Sequence, residues 1–179
     1  MIELTTILKQ ATNQIDRVYF HLELDGGDPV YRERVYCYEL YHQMRKLWPT
    51  NTPYYINGEV DKSAHPKLEE LKADHIKPDF LVHQPGDMGG NHAIIEVKTQ
   101  NAKRGGVKKD LQSLSDFKNI VGYERAIYLI YGYDFEPESM TKWILKISQE
   151  VQNLASIELW YQTADSEEAY QQCVIEPIE

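Results

Sequence analysis

Ile76-Lys77-Pro78-Asp79-Phe80-Leu81-Val82 and, after a turn, Ala93-Ile94-Ile95-Glu96-Val97-Lys98-Thr99-Gln100 are the two stretches on which the reading of this chain rests. Both are rich in β-branched and apolar residues. Between them lies Gln84-Pro85-Gly86-Asp87-Met88-Gly89-Gly90-Asn91, a dense turn signal, so an antiparallel hairpin is expected. Strand side chains alternate between faces, which puts Ile94, Glu96 and Lys98 on one side and Ala93, Ile95 and Val97 on the other. A carboxylate and an ammonium on a strand with buried neighbours weaken the fold unless they are paired or hold a metal. Hairpin pairing brings Asp79 to the same end of the sheet as Glu96, so two carboxylates and a lysine converge.

Outward from this hairpin, Leu4, Leu8, Ala11, Ile15, Val18 and Leu22 recur at spacings of three and four. They predict one amphipathic helix ending at Asp25-Gly26-Gly27. A second helix is expected from near Pro29 to about Leu47, stopped by Trp48-Pro49. Strands are expected over Tyr54 to Ser63, Pro78 to His83 and His92 to Thr99, then a helix carrying Val107, Leu111, Leu114 and Phe117. A buried strand at Arg125 to Tyr131, a helix from about Ser139 to Leu154 and closing strands at Ile157 to Gln162 and Tyr170 to Ile175 complete the chain. The order α, α, β, β, β, α, β, α, β, β implies an α/β fold with a mixed β-sheet flanked by helices.

The 179 residues, 42% hydrophobic and 26% charged, fit one domain spanning 1–179 and exclude a disordered or collagenous chain. A net charge of −9 argues against coating nucleic acid through bulk positive charge. It leaves room for an enzyme whose carboxylates bind metal while a local basic patch meets phosphate. Cys37 and Cys173 are far apart and form no zinc-type spacing, as expected of reduced cysteines in a cytoplasmic protein. The first ten residues carry no basic and apolar leader pattern, and no apolar run approaches membrane-spanning length. Phosphate loops, dinucleotide turns and hydrolase elbows are missing as motifs.

The convergent set suits metal-assisted hydrolysis of a phosphodiester. Asp79 and Glu96, with the backbone carbonyl of Val97, offer hard oxygens to Mg²⁺, for which Mn²⁺ substitutes. Lys98 would orient or help deprotonate the attacking water. Lys103, Arg104, Lys108 and Lys109 form an acid-free basic cluster around Gly105-Gly106, expected to contact nucleic-acid phosphates together with Gln100, which continues the Glu96–Lys98 face. Glu59 and Asp61 share one strand face and are the best competitors for metal ligation, although a surface strand is the preferred reading. Tyrosine supplies 13 of the 20 aromatic residues; Tyr36, Tyr38 and Tyr41 around Glu39 are read as rings buried with wet hydroxyls and not as a base-stacking platform.

Pro78-Asp79 followed by Glu96-Val97-Lys98 resembles the PD-(D/E)XK nuclease superfamily. The resemblance covers roughly Val30 to Tyr133. It implies a restriction-endonuclease-like core, αβββαβ, here with an extra N-terminal helix and C-terminal strands. It further implies Asp79, Glu96 and Lys98 as catalytic residues and an additional helix-borne acid at the metal, for which the matching position is Glu39. The expected activity is that of a Mg²⁺-dependent deoxyribonuclease, an endonuclease of restriction, phage defence or recombination. DNA is the expected substrate ahead of RNA, with a homodimer or a protein partner possible. The competing expectation is a subunit of the same fold that binds or assembles without its own catalysis.

Overall fold

The computed structural model describes residues 3–58 and 77–177. Its centre is a six-stranded mixed sheet of β3 (Tyr55–Gly58), β4 (Phe80–His83), β5 (Asn91–Thr99), β6 (Arg125–Tyr131), β7 (Ile157–Gln162) and β8 (Tyr170–Ile175), in that spatial order. β3, β4 and β5 are antiparallel, β5, β6 and β7 parallel, and β8 closes antiparallel on β7. The parallel connections are made by helices α4 (Arg104–Asp116) and α5 (Pro137–Ser148), as parallel neighbours require.

Both faces of the central strands are covered, which explains their continuous apolar runs. Helices α1 (Leu4–Thr12) and α3 (Glu33–Lys46) cover one face, burying Leu8, Leu40 and Met44 against Val82, Ile95, Val97 and Leu129. Helices α4 and α5 cover the other, with Leu111, Leu114, Ile144 and Ile147 against Ile94, Tyr128, Ile130 and Leu159. Among the described residues no helix is long and apolar enough to cross a membrane.

Three expectations change, the simplest being that α5 ends at Ser148 and not at Leu154. The single helix from Leu4 to Leu22 is broken: α1 stops at Thr12, whose hydroxyl bonds back to the Leu8 carbonyl at 3.0 Å, and a short α2 (Arg17–Phe20) restarts after the extended Asp16. Ile15 and Phe20 are buried, whereas Val18 is exposed, so the apolar spacing marks two turned segments and not one stripe. The second helix starts at Glu33 and not near Pro29, because Gly27–Val30 forms β2, paired with β1 (Leu22–Leu24) in a small ribbon. Of the strand expected over Tyr54 to Ser63, Tyr55–Gly58 is formed and the part from residue 59 onward lies outside the described residues.

Candidate active site

The β4–β5 ladder sets the site. Phe80 pairs with Ile95 as its last rung, so Asp79 stands opposite Glu96 one residue beyond it, on the α4 side of the sheet. There the Asp79 carboxylate replaces the missing strand partner, accepting the Val97 N–H at 2.7 Å. The N–H and C=O of one strand residue point to the same edge, so the Val97 carbonyl also faces the space that β4 leaves open. Next along the same face, Lys98 donates to Glu33 Oε1 at 2.8 Å and stands 3.5 Å from Asp110 Oδ2. Glu33 lies in the first turn of α3, Asp110 in the middle of α4. Asp110 Oδ2 also accepts from the buried Tyr128 hydroxyl at 3.4 Å; Tyr128 is the β6 residue in register with Glu96. Glu33, Asp79, Glu96, Lys98 and Asp110 line a cleft of about 710 Å³ whose remaining lining includes Arg34, Lys77, Lys108 and Lys109.

Electrostatics within the cleft are dominated by burial and mutual repulsion of acids. Burial raises Glu96 well above the usual carboxylate range, and the charges of Asp79 and Asp110 raise it further. Asp79 is also raised by burial, partly offset by the Val97 N–H and the Lys98 charge. Besides burial, the Asp79 charge raises Glu96, as expected of two acids that cannot easily ionise side by side. Asp110 is pushed up to about 6, chiefly by burial. Lys98 is raised as well, which keeps it charged: burial opposes its charge, but Asp110 and Glu33 outweigh burial and raise its pKa above the ordinary lysine value.

The expected residues separate into two groups. Asp79, Glu96, Lys98, Lys108 and Lys109 come together around the cleft, and Val97 presents its backbone there. Glu39 does not reach the cleft: it is six residues from Glu33, about 9 Å along α3 and about 120° around it, and its carboxylate accepts a hydrogen bond from Gln43. The acid that α3 contributes is Glu33. Gln100 is held by structural contacts, donating to the Tyr31 hydroxyl at 3.3 Å and accepting the Asp134 N–H at 2.9 Å. Arg104 is paired with Glu150 away from the cleft lining, and Lys103 is exposed outside it. Glu59 and Asp61 lie outside the described residues. Sequence reasoning missed Glu33 and Asp110. Nothing in the local sequence marks Glu33, but Asp110 had a signal, since it interrupts the apolar stripe of Val107, Leu111 and Leu114 with an acid.

A divalent cation fits this donor set. Asp79 and Glu96 provide hard oxygens already brought together, and the Val97 carbonyl is the adjoining backbone donor. Among the described residues no group of three or more His, Cys, Asp or Glu side chains is placed to hold a metal ion. Mg²⁺ does not require one, because it binds through one or two carboxylates and keeps its remaining positions for water and substrate phosphate.

No protein-family model, no curated protein and no solved structure matches this chain.

Proposed function

We propose that this chain is a divalent-metal-dependent nuclease of the PD-(D/E)XK type that hydrolyses phosphodiester bonds of DNA, as an endonuclease. The observation that carries this reading is the buried Asp79–Glu96 pair, two carboxylic residues opposite each other just beyond the last rung of the β4–β5 ladder, with Lys98 one step along the same strand face. Among the described residues the run α3, β3, β4, β5, α4, β6 follows the αβββαβ order that the sequence resemblance implies, which supports the same reading.

Asp79, Glu96 and the Val97 carbonyl would hold Mg²⁺ or Mn²⁺. When bound, the cation would supply acidification of a water and neutralisation of phosphate charge. Both carboxyls are raised by burial and must be ionised to serve as ligands, so cation affinity should fall at low pH. Lys98 stays an ammonium: flanked by Glu33 and Asp110, it cannot deprotonate a water, and its part is to donate hydrogen bonds that orient the nucleophile or the scissile phosphate. Glu33 and Asp110 fix the ammonium from opposite helices, and Tyr128 anchors Asp110 in turn.

Purified protein incubated with supercoiled, linear and single-stranded DNA in Mg²⁺, Mn²⁺ or EDTA tests the proposal. Cleavage should require the cation and disappear in Asp79→Asn and Glu96→Ala. Glu33→Gln, which loosens Lys98, should slow cleavage by about 10- to 100-fold, the usual size of an outer-shell loss. Glu39→Gln should stay within about twofold of the wild-type rate. A wild-type protein that cuts no DNA with either cation would sink the reading.

A further inference from the structure

We infer that the solvent face of α3 is a track for an unpaired DNA strand leaving the cleft, so that the substrate is DNA carrying a single-stranded arm. The inference rests on the nuclease reading of the cleft and adds the path of the substrate. At about 100° per residue, Arg34, Tyr38, Tyr41 and Arg45 fall within about 60° of arc around α3, with His42 at its margin. Arg34, Tyr38, His42 and Arg45 are all exposed, Tyr38 to 62%. The reading of Tyr36, Tyr38 and Tyr41 as a buried group therefore divides: Tyr36 is fully buried and stacked on Tyr131 at 3.8 Å, whereas Tyr38 leaves its ring in water. Tyr41 is held between them in depth, its hydroxyl donating to the Ile56 carbonyl at 3.5 Å, and forms the base of the stripe.

No acid of α3 stands within this arc. Glu33 and Glu39 are turned from Arg34 by about 100° and 140°. In a chain of net charge −9, a helix face with arginines at both ends, an exposed phenol between them and no acid among its own α3 residues is complementary to a polyanion with flat bases. Guanidinium forks match phosphate oxygens, and an exposed ring offers stacking to an unpaired base of any identity. The row is also continuous with the chemistry, because Arg34 lines the cleft. From Arg34 to Arg45 α3 rises about 16 Å, enough for up to about five nucleotides at a stacked rise of about 3.4 Å. A paired strand would keep its bases from Tyr38, and for that reason the occupant is an unpaired one.

The test uses catalytically silent Glu96→Ala in Ca²⁺ with a fluorescein-labelled blunt duplex and the same duplex bearing a 12-nucleotide tail, titrated by anisotropy across a salt series. In that background Tyr38→Ala should weaken binding of the tailed DNA by about 5- to 100-fold, as the loss of one stacked base does, and leave the blunt duplex within about twofold. Tyr38→Phe keeps the ring and should restore the tailed affinity. Arg34→Ala with Arg45→Ala should reduce the tailed slope of log K against log salt by about 1.4, two single-strand phosphate contacts at about 0.7 each. All these side chains are exposed, and unchanged circular dichroism melts will confirm that the variants are folded. If tailed binding is unaffected by these changes while Lys108→Ala with Lys109→Ala weakens both DNAs, the cleft binds DNA but the track is wrong. If Tyr38→Ala weakens both DNAs alike, the unpaired-strand assignment is overturned. A parent that neither binds nor, with Glu96 restored, cuts any DNA overturns the nuclease reading together with the track.

Discussion

Two clusters of buried charge sit on the same sheet and are built on opposite principles. At the start of β6 and β7, Arg125 meets Glu158 in a two-pronged ion pair, Nε to Oε1 and Nη2 to Oε2, both 2.7 Å. Thr5 takes a further Arg125 hydrogen at 3.1 Å, and the Trp160 indole N–H donates to Glu158 at 3.1 Å. One cation balances one anion. Burial alone would raise Glu158, but Arg125 holds it below the ordinary carboxylate range. Five residues further along the sheet the floor of the cleft sets Lys98 against Glu33, Asp79, Glu96 and Asp110, while Arg34, Lys77, Lys108 and Lys109 also line it. Three of those acids, Asp79, Glu96 and Asp110, are displaced upward. The first cluster is complete as folded. In the second, more acids than cations meet at the buried floor, which favours an added cation there.

The largest expected effect sharpens that contrast as a difference in sign. Arg125→Ala strands Glu158, whose side chain is 18% exposed, and should destabilise the fold by about 3 kcal/mol, as breaking a mostly buried pair does. Glu96→Gln removes a charge from the oversupplied cluster and should raise the denaturation midpoint at pH 7.5, while abolishing Mn²⁺ binding in calorimetry. Chemical denaturation of both variants decides the point. Equal destabilisation by the two substitutions would make the cleft another structural ion cluster.

The same comparison has a pH form. Asp110 binds its proton more tightly in the folded state, at about 6 against an ordinary 3.8. Between those values the native state therefore holds more protons than the unfolded one, and the stabilisation present below about pH 4 is lost as pH rises through 6. A shift of about two units corresponds to about 3 kcal/mol. Asp110→Asn should flatten the fall in stability between pH 4 and 6 and raise the melting temperature at pH 7.5. Glu158, displaced downward, contributes stability that is present above the ordinary carboxylate range and lost as pH falls through its folded value, so Glu158→Gln should flatten the acid limb instead. Matching pH dependence in the two variants would erase the distinction between the clusters.

Much of this arrangement is legible in the sequence because the strongest signals are strands buried on both faces. Arg125–Tyr131 and Ile157–Gln162 are buried along almost their whole length and form where they are expected; Tyr170–Ile175 also forms where expected, as a partly exposed edge strand. The hairpin that joins Asp79 to Glu96 follows from a period of two and a dense turn. What periodicity does not carry is which end of a helix meets the sheet. Glu33 and Glu39 both belong to α3, and only the packing of Tyr36, Leu40 and Met44 against the sheet determines that the first turn, and with it Glu33, reaches Lys98. Asp110 was hidden for a related reason: an acid in a helix reads as solvated until the neighbouring strand is known to present an ammonium opposite it. The break in the first helix lay beyond apolar spacing because Ile15 and Phe20 remain buried after the chain has turned.

The smallest expected effect concerns the basic segment after β5, where structure divides what sequence presents as one cluster. Lys108 and Lys109 line the cleft, whereas Lys103 and Arg104 do not. Arg104 is paired with Glu150, which also lies 3.5 Å from Lys108, so Lys108 reaches the cleft with part of its charge already answered. Lys109 should therefore account for one duplex phosphate, about 0.9 in the slope of log K against log salt, and Lys108 for less. Lys103→Ala with Arg104→Ala should leave the slope within about 0.3. Glu150→Gln offers the reverse manipulation: by releasing Lys108 it should steepen the slope by up to about 0.9 without touching the cleft acids. Binding to a blunt duplex in Ca²⁺, in the Glu96→Ala background, measures these variants together with Lys108→Ala and Lys109→Ala. A larger loss from Lys103 and Arg104 than from Lys108 and Lys109 would move the DNA off the cleft mouth and toward the outer turn of α4, and would detach the basic rim from the acidic interior that gives it meaning.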